Sequence, residues 1–402
     1  MVSLEERRKD IIDLVYKLDI SPTMYKNAVE KYQSVATYLE ENGANADIYP
    51  QGSFALGTVV RPYSKDKDCA YDLDFICQLR AKSKADGTKA VKDKVGEILE
   101  SSGLYGGKLS SCDECFTIEY ADTNDIGFTM DIIPAVDEDA QVKNALKEKC
   151  TYPDLVETSI AIPKNDEWLT NNPKGYKVWF DSINEPFKTY NRDIRRRALF
   201  ESARNIYASI EAVPDELERS SLQRVVQILK HHRNVYFSNR TSATKPISAI
   251  ITTLAAQIAK SAPNHYDVLE LLDFVVKELT LYSEHQSLNE AVFKSKYPSK
   301  SIIIRNTEGW KIENPANPND NLADAWNQDI NAAKEFFVWI SAVTTDLVSS
   351  LQENDAKFRT LLESAFGYAF VSKSLPVSKY SQSMPTHFIP EAKKSPWRNP
   401  SL

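Results

Sequence analysis

The sequence predicts an α+β protein of two lobes: a mixed sheet with helices, then a C-terminal all-helical lobe. Three observations carry this. Residues 71–79 and 115–133 alternate apolar and polar side chains with a period of two. From about residue 188 onward, apolar residues recur at helical spacing almost without interruption. The length, 402 residues, suffices for two separate cores. We place the first lobe with its N-terminal helices at 1–187, the helical lobe at 188–371 and an extended tail at 372–402. The tail holds Pro376, Pro385, Pro390, Pro396 and Pro400 among serines and lysines. There is no internal repeat.

The chain opens on helices. Ser3 and Glu6 form a capping-box pattern ahead of Ile11, Ile12, Leu14, Val15 and Leu18. Ser21-Pro22 starts a second helix through Tyr32, Val35 and Leu39, which stops at Gly43. Residues 71–79 form a strand with Tyr71, Leu73, Phe75, Cys77 and Leu79 on one face. A helix follows from about Ala90 to Leu99 and ends near Gly103. Residues 115–121 and 127–133 read as a hairpin joined by residues 122–126, and Pro134 closes its second strand. The clearest helical stretches beyond are 192–212, 216–237, 246–260, 265–282, 322–351 and 354–368.

The composition is that of an ordinary globular protein, 42% hydrophobic and 26% charged. No apolar run approaches the roughly 20 residues that cross a bilayer, and residues 1–8 lack an apolar signal core. A cytoplasmic protein without membrane contact is the expectation. The net charge of −7 argues against a non-specific nucleic-acid binder, which usually carries a basic surplus. The cysteines Cys69, Cys77, Cys112, Cys115 and Cys150 are odd in number, which suits reduced thiols better than a disulfide framework.

Asp72 and Asp74 lie two apart on a strand, so both project from the face opposite Tyr71, Leu73 and Phe75. Two bare carboxylates on an otherwise apolar element repel unless something positive lies between them. A divalent cation such as Mg²⁺ answers that need, completing its shell with phosphate and water. Asp-x-Asp alone is weak, since Asp66-x-Asp68 and Asp137-x-Asp139 read as solvated charge. Two features strengthen it. Gln51, Gly52 and Ser53 follow a short β-like run, where a glycine turn lets backbone amides and a hydroxyl approach phosphate oxygens. Asp131 is the lone acid in an apolar strand, costly unless paired, hydrogen-bonded or metal-bound. Each has a plain alternative, an ordinary turn and a hydrogen-bonded strand aspartate. Together they fit in-line displacement at phosphorus assisted by two metal ions, Mg²⁺ or Mn²⁺.

The order Gly-Ser, Asp-x-Asp, then a hairpin strand with a third Asp resembles the polymerase β-like nucleotidyltransferases. The strings Gln51-Gly-Ser-Phe-Ala-Leu-Gly-Thr58 and Tyr71-Asp-Leu-Asp-Phe75 narrow this to the cGAS/DncV-like nucleotidyltransferases of CBASS anti-phage defence. Residues 168–173, Pro246-Ile-Ser-Ala249 and Pro396-Trp397 are further points of similarity. The resemblance implies a synthase making a cyclic di- or trinucleotide from ATP, GTP or pyrimidine triphosphates, with a regulatory protein partner. Its alternatives are nucleotide transfer to RNA or protein, and a non-catalytic nucleotide-binding scaffold. It also implies that Lys230 reaches the donor triphosphate and that Ser248 binds phosphate. Otherwise Lys230 is a surface lysine and Ser248 a capping residue. Where animal relatives carry an aromatic after that serine, this chain has Ala249.

Three other signals carry less. Cys112-x-x-Cys115 lacks the second pair that would complete a zinc site, so buried thiols are expected. His231-His232 brackets Lys230 without binding metal, and Arg192, Arg195, Arg196 and Arg197 read as a solvated helix face.

Overall fold

The computed structural model describes residues 2–380 except 62, 65–66, 69–70, 121–127, 203–217, 239, 241–242 and 330; side chains at 23, 63–64, 67–68, 71 and 191–202 are not described either. Two helices come first, α1 (Leu4–Tyr16), with both capping-box bonds made by Ser3 and Glu6, and α2 (Pro22–Glu41), capped by Ser21. Then follow β1 (Ala46–Pro50), the short α3 (Gly52–Ala55), β2 (Tyr63–Ser64), β3 (Lys67–Asp68), β4 (Tyr71–Leu79) and α4 (Thr88–Glu100). The segment continues with β5 (Leu109–Ser111), β6 (Phe116–Tyr120), β7 (Phe128–Asp137), α5 (Ala140–Lys149), β8 (Ile160–Lys164) and β9 (Glu167–Asn171).

The main sheet runs β1-β4-β7-β6-β5, with β8 pairing β7 and β9 pairing β8. The central pair, β4 and β7, is parallel and sets Asp74 opposite Asp131. One face of β4 buries Leu73, Phe75, Cys77 and Leu79 against residues of α2 and α4, as the alternation predicts. Phe75 is 1% exposed and meets Tyr32 edge-on. Phe75→Ala should cost about 3–5 kcal/mol of stability, read as a lower denaturation midpoint in urea.

β7 does not stop at Pro134; it runs on to Asp137. Its pairing with β6 ends at Ile132 and that with β8 starts at Val136, so Pro134 falls in the gap between two ladders on that flank.

The second region holds α6 (Pro173–Ser202), α7 (Ser221–Phe237), α8 (Ser248–Ala259), α9 (Val268–Tyr282) and α10 (Glu290–Lys296). Two small hairpins follow, β10 (Ile304–Asn306) with β11 (Gly309–Lys311), and β12 (Glu313–Asn314) with β13 (Asn317–Asn321). The chain ends in α11 (Asp324–Gln328), α12 (Ala332–Val343), α13 (Asp355–Phe366), α14 (Tyr368–Ser374) and α15 (Val377–Tyr380). The hairpins qualify the all-helical expectation. Side-chain amides hold them in place of long ladders: Asn327 accepts from the Trp310 amide at 2.7 Å and Asn321 from the Ile312 amide at 3.0 Å.

Three boundaries differ from expectation. Helix α6 runs through 187/188 without a break. Helix α1 lies early in the chain, yet Ile11, Leu14, Val15 and Leu18 join the helical core. Residues 372–374 and 377–380 are helical rather than extended; Tyr380 is buried and its hydroxyl donates to Asp10 of α1, beside Lys379 at 2.7 Å. Residues 381–402, including Pro396-Trp397, lie outside the described residues.

Helix α7 is buried from Ser221 to Arg233, so its polar side chains need partners. Trp339 donates to His232 Nδ1 at 3.0 Å, which leaves Nε2 to carry the proton toward Asp346 at 3.1 Å. His231 Nε2 sits 3.0 Å from the Phe366 carbonyl. The two histidines are therefore structural, as expected. The basic run Arg192–Arg197 has side chains outside the described residues.

The reduced-thiol expectation fails at one pair. Cys112 and Cys115 are joined as a disulfide across a tight turn that brings their Cα atoms to 5.2 Å, and Cys112 is exposed. Cys77 and Cys150 are free and buried; Cys69 lies outside the described residues.

Candidate active site

The pleat puts Asp72 and Asp74 on the same face of β4, and the parallel register puts Asp131 beside Asp74 on that face. Each outer carboxylate is turned toward a threonine from the register-matched strand. Thr129 Oγ1 donates to Asp72 at 2.5 Å, and Thr117 Oγ1 donates to Asp131 at 2.6 Å. Neither threonine stands out in the sequence; only the register, Thr129 opposite Asp72 and Thr117 opposite Asp131, identifies them.

Burial pushes the Asp74 carboxyl up to about 6, Asp131 and Asp72 add to the rise, and Lys230 opposes it. Burial likewise raises Asp131, with Asp72 adding and the Thr117 hydrogen bond opposing. This is a negative cluster that a cation would relieve. Among the described residues no three His, Cys, Asp or Glu groups converge closely enough to hold an ion.

The sign of the pH dependence follows. A carboxyl raised from 3.8 to about 6 on folding contributes stability that is complete below the lower value and lost as pH rises through the upper one. Metal-free protein should therefore melt higher at about pH 5 than at about pH 7, and Asp74→Asn should remove that part of the difference. Differential scanning calorimetry in a chelating buffer measures it.

Gly52 joins these acids to a cleft. It has φ +58°, and a Cβ there would stand 3.1 Å from Asp74 Oδ2, so both backbone and space select glycine. The Gln51 amide donates to the Asp74 carbonyl at 2.9 Å, which fixes the turn over the strand. The cleft encloses about 280 Å³, and its lining includes Gln51, Gly52, Ser53, Lys230 and Ser248. The five expected substrate-side residues thus come together, while the three aspartates adjoin the cleft at Gly52 rather than line it.

Helix α7 holds this turn in place. Gln223, Gln227 and Lys230 share one helix face and donate to the carbonyls of Leu56 (2.8 Å), Val59 (2.7 Å) and Thr58 (3.0 Å). The two glutamines escaped the sequence reading, though their spacing of four was a signal. Lys230 is 6% exposed, not a surface lysine, and burial followed by Arg233 pushes its ammonium down to about 7, with Asp74 opposing. Ser248 is the first residue of α8; it makes no N-cap, and its hydroxyl accepts from Arg233 at 3.1 Å. That leaves the hydroxyl proton of Ser248 free to donate.

Residues 7–184 match the family of Second Messenger Oligonucleotide or Dinucleotide Synthetase domains. A c-di-GMP synthase of Roseivirga ehrenbergii is 24% identical over 329 residues, 80% of this chain and 74% of the relative. The domain match covers fewer than half of the residues of this chain. The chain also resembles the cyclic dinucleotide synthase CdnG of Bradyrhizobium diazoefficiens, 24% identical over 62% of this chain and 58% of that one. The structure of CdnG in complex with GTP superposes over 93% of this chain and 98% of its own, at 20% identity and a TM-score of 0.62. That of Vibrio cholerae DncV with a linear intermediate covers 88% and 92%, at 14% identity and a TM-score of 0.54. These two share the fold, a mixed sheet followed by a helical region. No helix among the described residues is long and apolar enough to cross a membrane.

Proposed function

We propose that this chain condenses nucleoside triphosphates into a cyclic di- or trinucleotide. The observation that carries this is the acid-bearing sheet face of Asp72, Asp74 and Asp131, joined through Gly52 to a cleft holding Ser53, Lys230 and Ser248. The names of the relatives, cyclic dinucleotide synthases, point the same way.

In this reading Gln51, Gly52 and Ser53 present backbone and hydroxyl groups to the triphosphate, and Lys230 supplies the positive charge. The Ser248 proton, left free by Arg233, donates to a phosphate oxygen. Asp131 takes the proton of the attacking ribose hydroxyl while the new phosphorus–oxygen bond forms and pyrophosphate leaves. The Thr117 hydroxyl fixes its orientation. Asp72, Asp74 and Asp131 would hold two Mg²⁺ or Mn²⁺ ions, which when bound polarise the phosphate and neutralise developing charge. The product would act as a cytoplasmic second messenger in anti-phage defence, with a regulatory protein partner.

Labelled ATP, GTP, CTP and UTP, incubated with Mg²⁺ or Mn²⁺ and then with phosphatase, test the reading. Metal-dependent pyrophosphate release and a phosphatase-resistant product are expected. A product with a free 5′-triphosphate would replace cyclisation by linear transfer. No release from any triphosphate would leave only a nucleotide-binding scaffold.

A further inference from the structure

Among the described residues the lining of the cleft is of two chemical kinds. Toward the acids stand Gly52, Ser53 and Lys230, and the charged neighbours that shift Lys230 are Arg233 and Asp74. Another part of the lining is formed by Asn314 and Asp320, from the β12–β13 hairpin, together with Tyr176 and Leu322. There burial raises the Tyr176 phenol, its hydrogen bond with Thr253 opposes the rise, and Asp320 adds to it. Asp320 thus lines the cleft within electrostatic reach of the aromatic Tyr176.

Asp320 is also oriented. Asn314 Oδ1 accepts from the Ala316 amide at 3.0 Å, so the Asn314 Nδ2 group is the one that faces Asp320, and it donates to Oδ2 at 2.8 Å. The second oxygen, Oδ1, accepts no hydrogen bond, and the carboxylate forms no ion pair, among the described residues. The hairpin is anchored to the first lobe as well. Asn172 Nδ2 donates to the Ala316 carbonyl at 3.0 Å and Asn317 Nδ2 to the Thr170 carbonyl at 2.9 Å. An oriented carboxylate without a cation, on an anchored hairpin beside an apolar wall, is a ready acceptor pair.

We infer that Asp320 reads the base of the bound nucleotide and makes the cleft selective for guanine. The inference rests on the cleft binding nucleotides, as proposed above. Guanine is the base whose Watson–Crick edge offers two adjacent donors, N1–H and the N2 amino group, and a carboxylate supplies two acceptors in a matching fork. Oδ2 has a second lone pair beyond the one given to Asn314, so both oxygens can serve. Adenine turns its N1 lone pair on the same carboxylate and is repelled. Cytosine does so through N3, and uracil offers one donor between two acceptors. The triphosphate, for its part, is kept away from Asp320 by like charge and drawn to Lys230.

Substitution reads this directly. Asp320→Asn keeps an acceptor for Asn314 but replaces the fork by one donor and one acceptor, which complements adenine N1 and its amino group. Asp320→Ala removes both acceptors. Calorimetry with non-hydrolysable GTP and ATP analogues, and competition between labelled GTP and ATP during turnover, give the preference. In wild type GTP is favoured. In both variants that preference falls about 10–100-fold, the worth of a hydrogen-bonded pair to a charged group. Asp320→Asn falls furthest, with unchanged thermal melting. If wild type binds ATP as tightly as GTP, or both variants keep the wild-type ratio, the inference is overturned while the synthase reading stands. If wild type releases no pyrophosphate from any triphosphate, the synthase reading fails, and the binding ratio still decides the role of Asp320.

Discussion

Asp72→Asn combined with Asp74→Asn is expected to lower pyrophosphate release by on the order of a thousandfold or more, without unfolding the protein. The two acids share a sheet face with Asp131; burial lifts Asp74 above the usual carboxylate range, and the charges of Asp131 and Asp72 add to the rise. The core lies on the other face of β4, in Leu73, Phe75, Cys77 and Leu79, and neither substitution touches it. Asparagine keeps the size of each side chain and an oxygen for Thr129, while removing two negative charges that repel a third. The metal-free double variant should therefore melt at the wild-type temperature or above it near pH 7. Mn²⁺ or Mg²⁺ should raise the melting temperature of wild type and leave that of the variant nearly unchanged. A collapsed fold in the variant would make these acids structural and remove the main support for catalysis.

Local pattern carried most of the site to view, because its residues break patterns that are otherwise regular. Two acids on the exposed phase of an apolar strand, a glycine after a β run and one acid in a hairpin strand are visible without any tertiary knowledge. What was hidden depends on partners far along the chain. Thr117 and Thr129 are ordinary strand threonines until the register sets them against Asp131 and Asp72. Gln223 and Gln227 look like the polar side of a helix until segment 56–59 lies against them. The hairpins at 304–321 escaped for a different reason. Strands of two to five residues rich in Asn and Pro leave too few alternations to read, and asparagine side chains replace the ladder bonds that a longer strand would make. Helix α1 and residues 372–380 were misplaced because proximity in sequence says nothing of where a helix docks. Asp10 with Tyr380, and Arg7 with Asp355 at 2.6 Å, tie the two ends of the described chain together.

Lys230→Ala should weaken binding of a non-hydrolysable triphosphate by about 10–100-fold, the worth of a charge-assisted contact of about 1.5–3 kcal/mol. Ser248→Ala should cost only about fivefold, as for one neutral hydrogen bond of about 1 kcal/mol. The buried setting of Lys230 gives a second readout. Its ammonium is held down to about 7 in the free protein by burial and Arg233, and a bound triphosphate would raise it again. Binding at about pH 8 should then take up a proton, seen by calorimetry as a heat that varies with the ionisation enthalpy of the buffer. Lys230→Ala should lose that uptake along with the affinity. The same depression sets the sign for folding. A lysine lowered from 10.5 to about 7 contributes stability that is present above the higher value and lost as pH falls through the lower one, a window distinct from that of Asp74. If Lys230→Ala binds the triphosphate as tightly as wild type and still takes up the proton, another cation grips the phosphates, and Lys230 serves only to tie α7 to the Thr58 carbonyl.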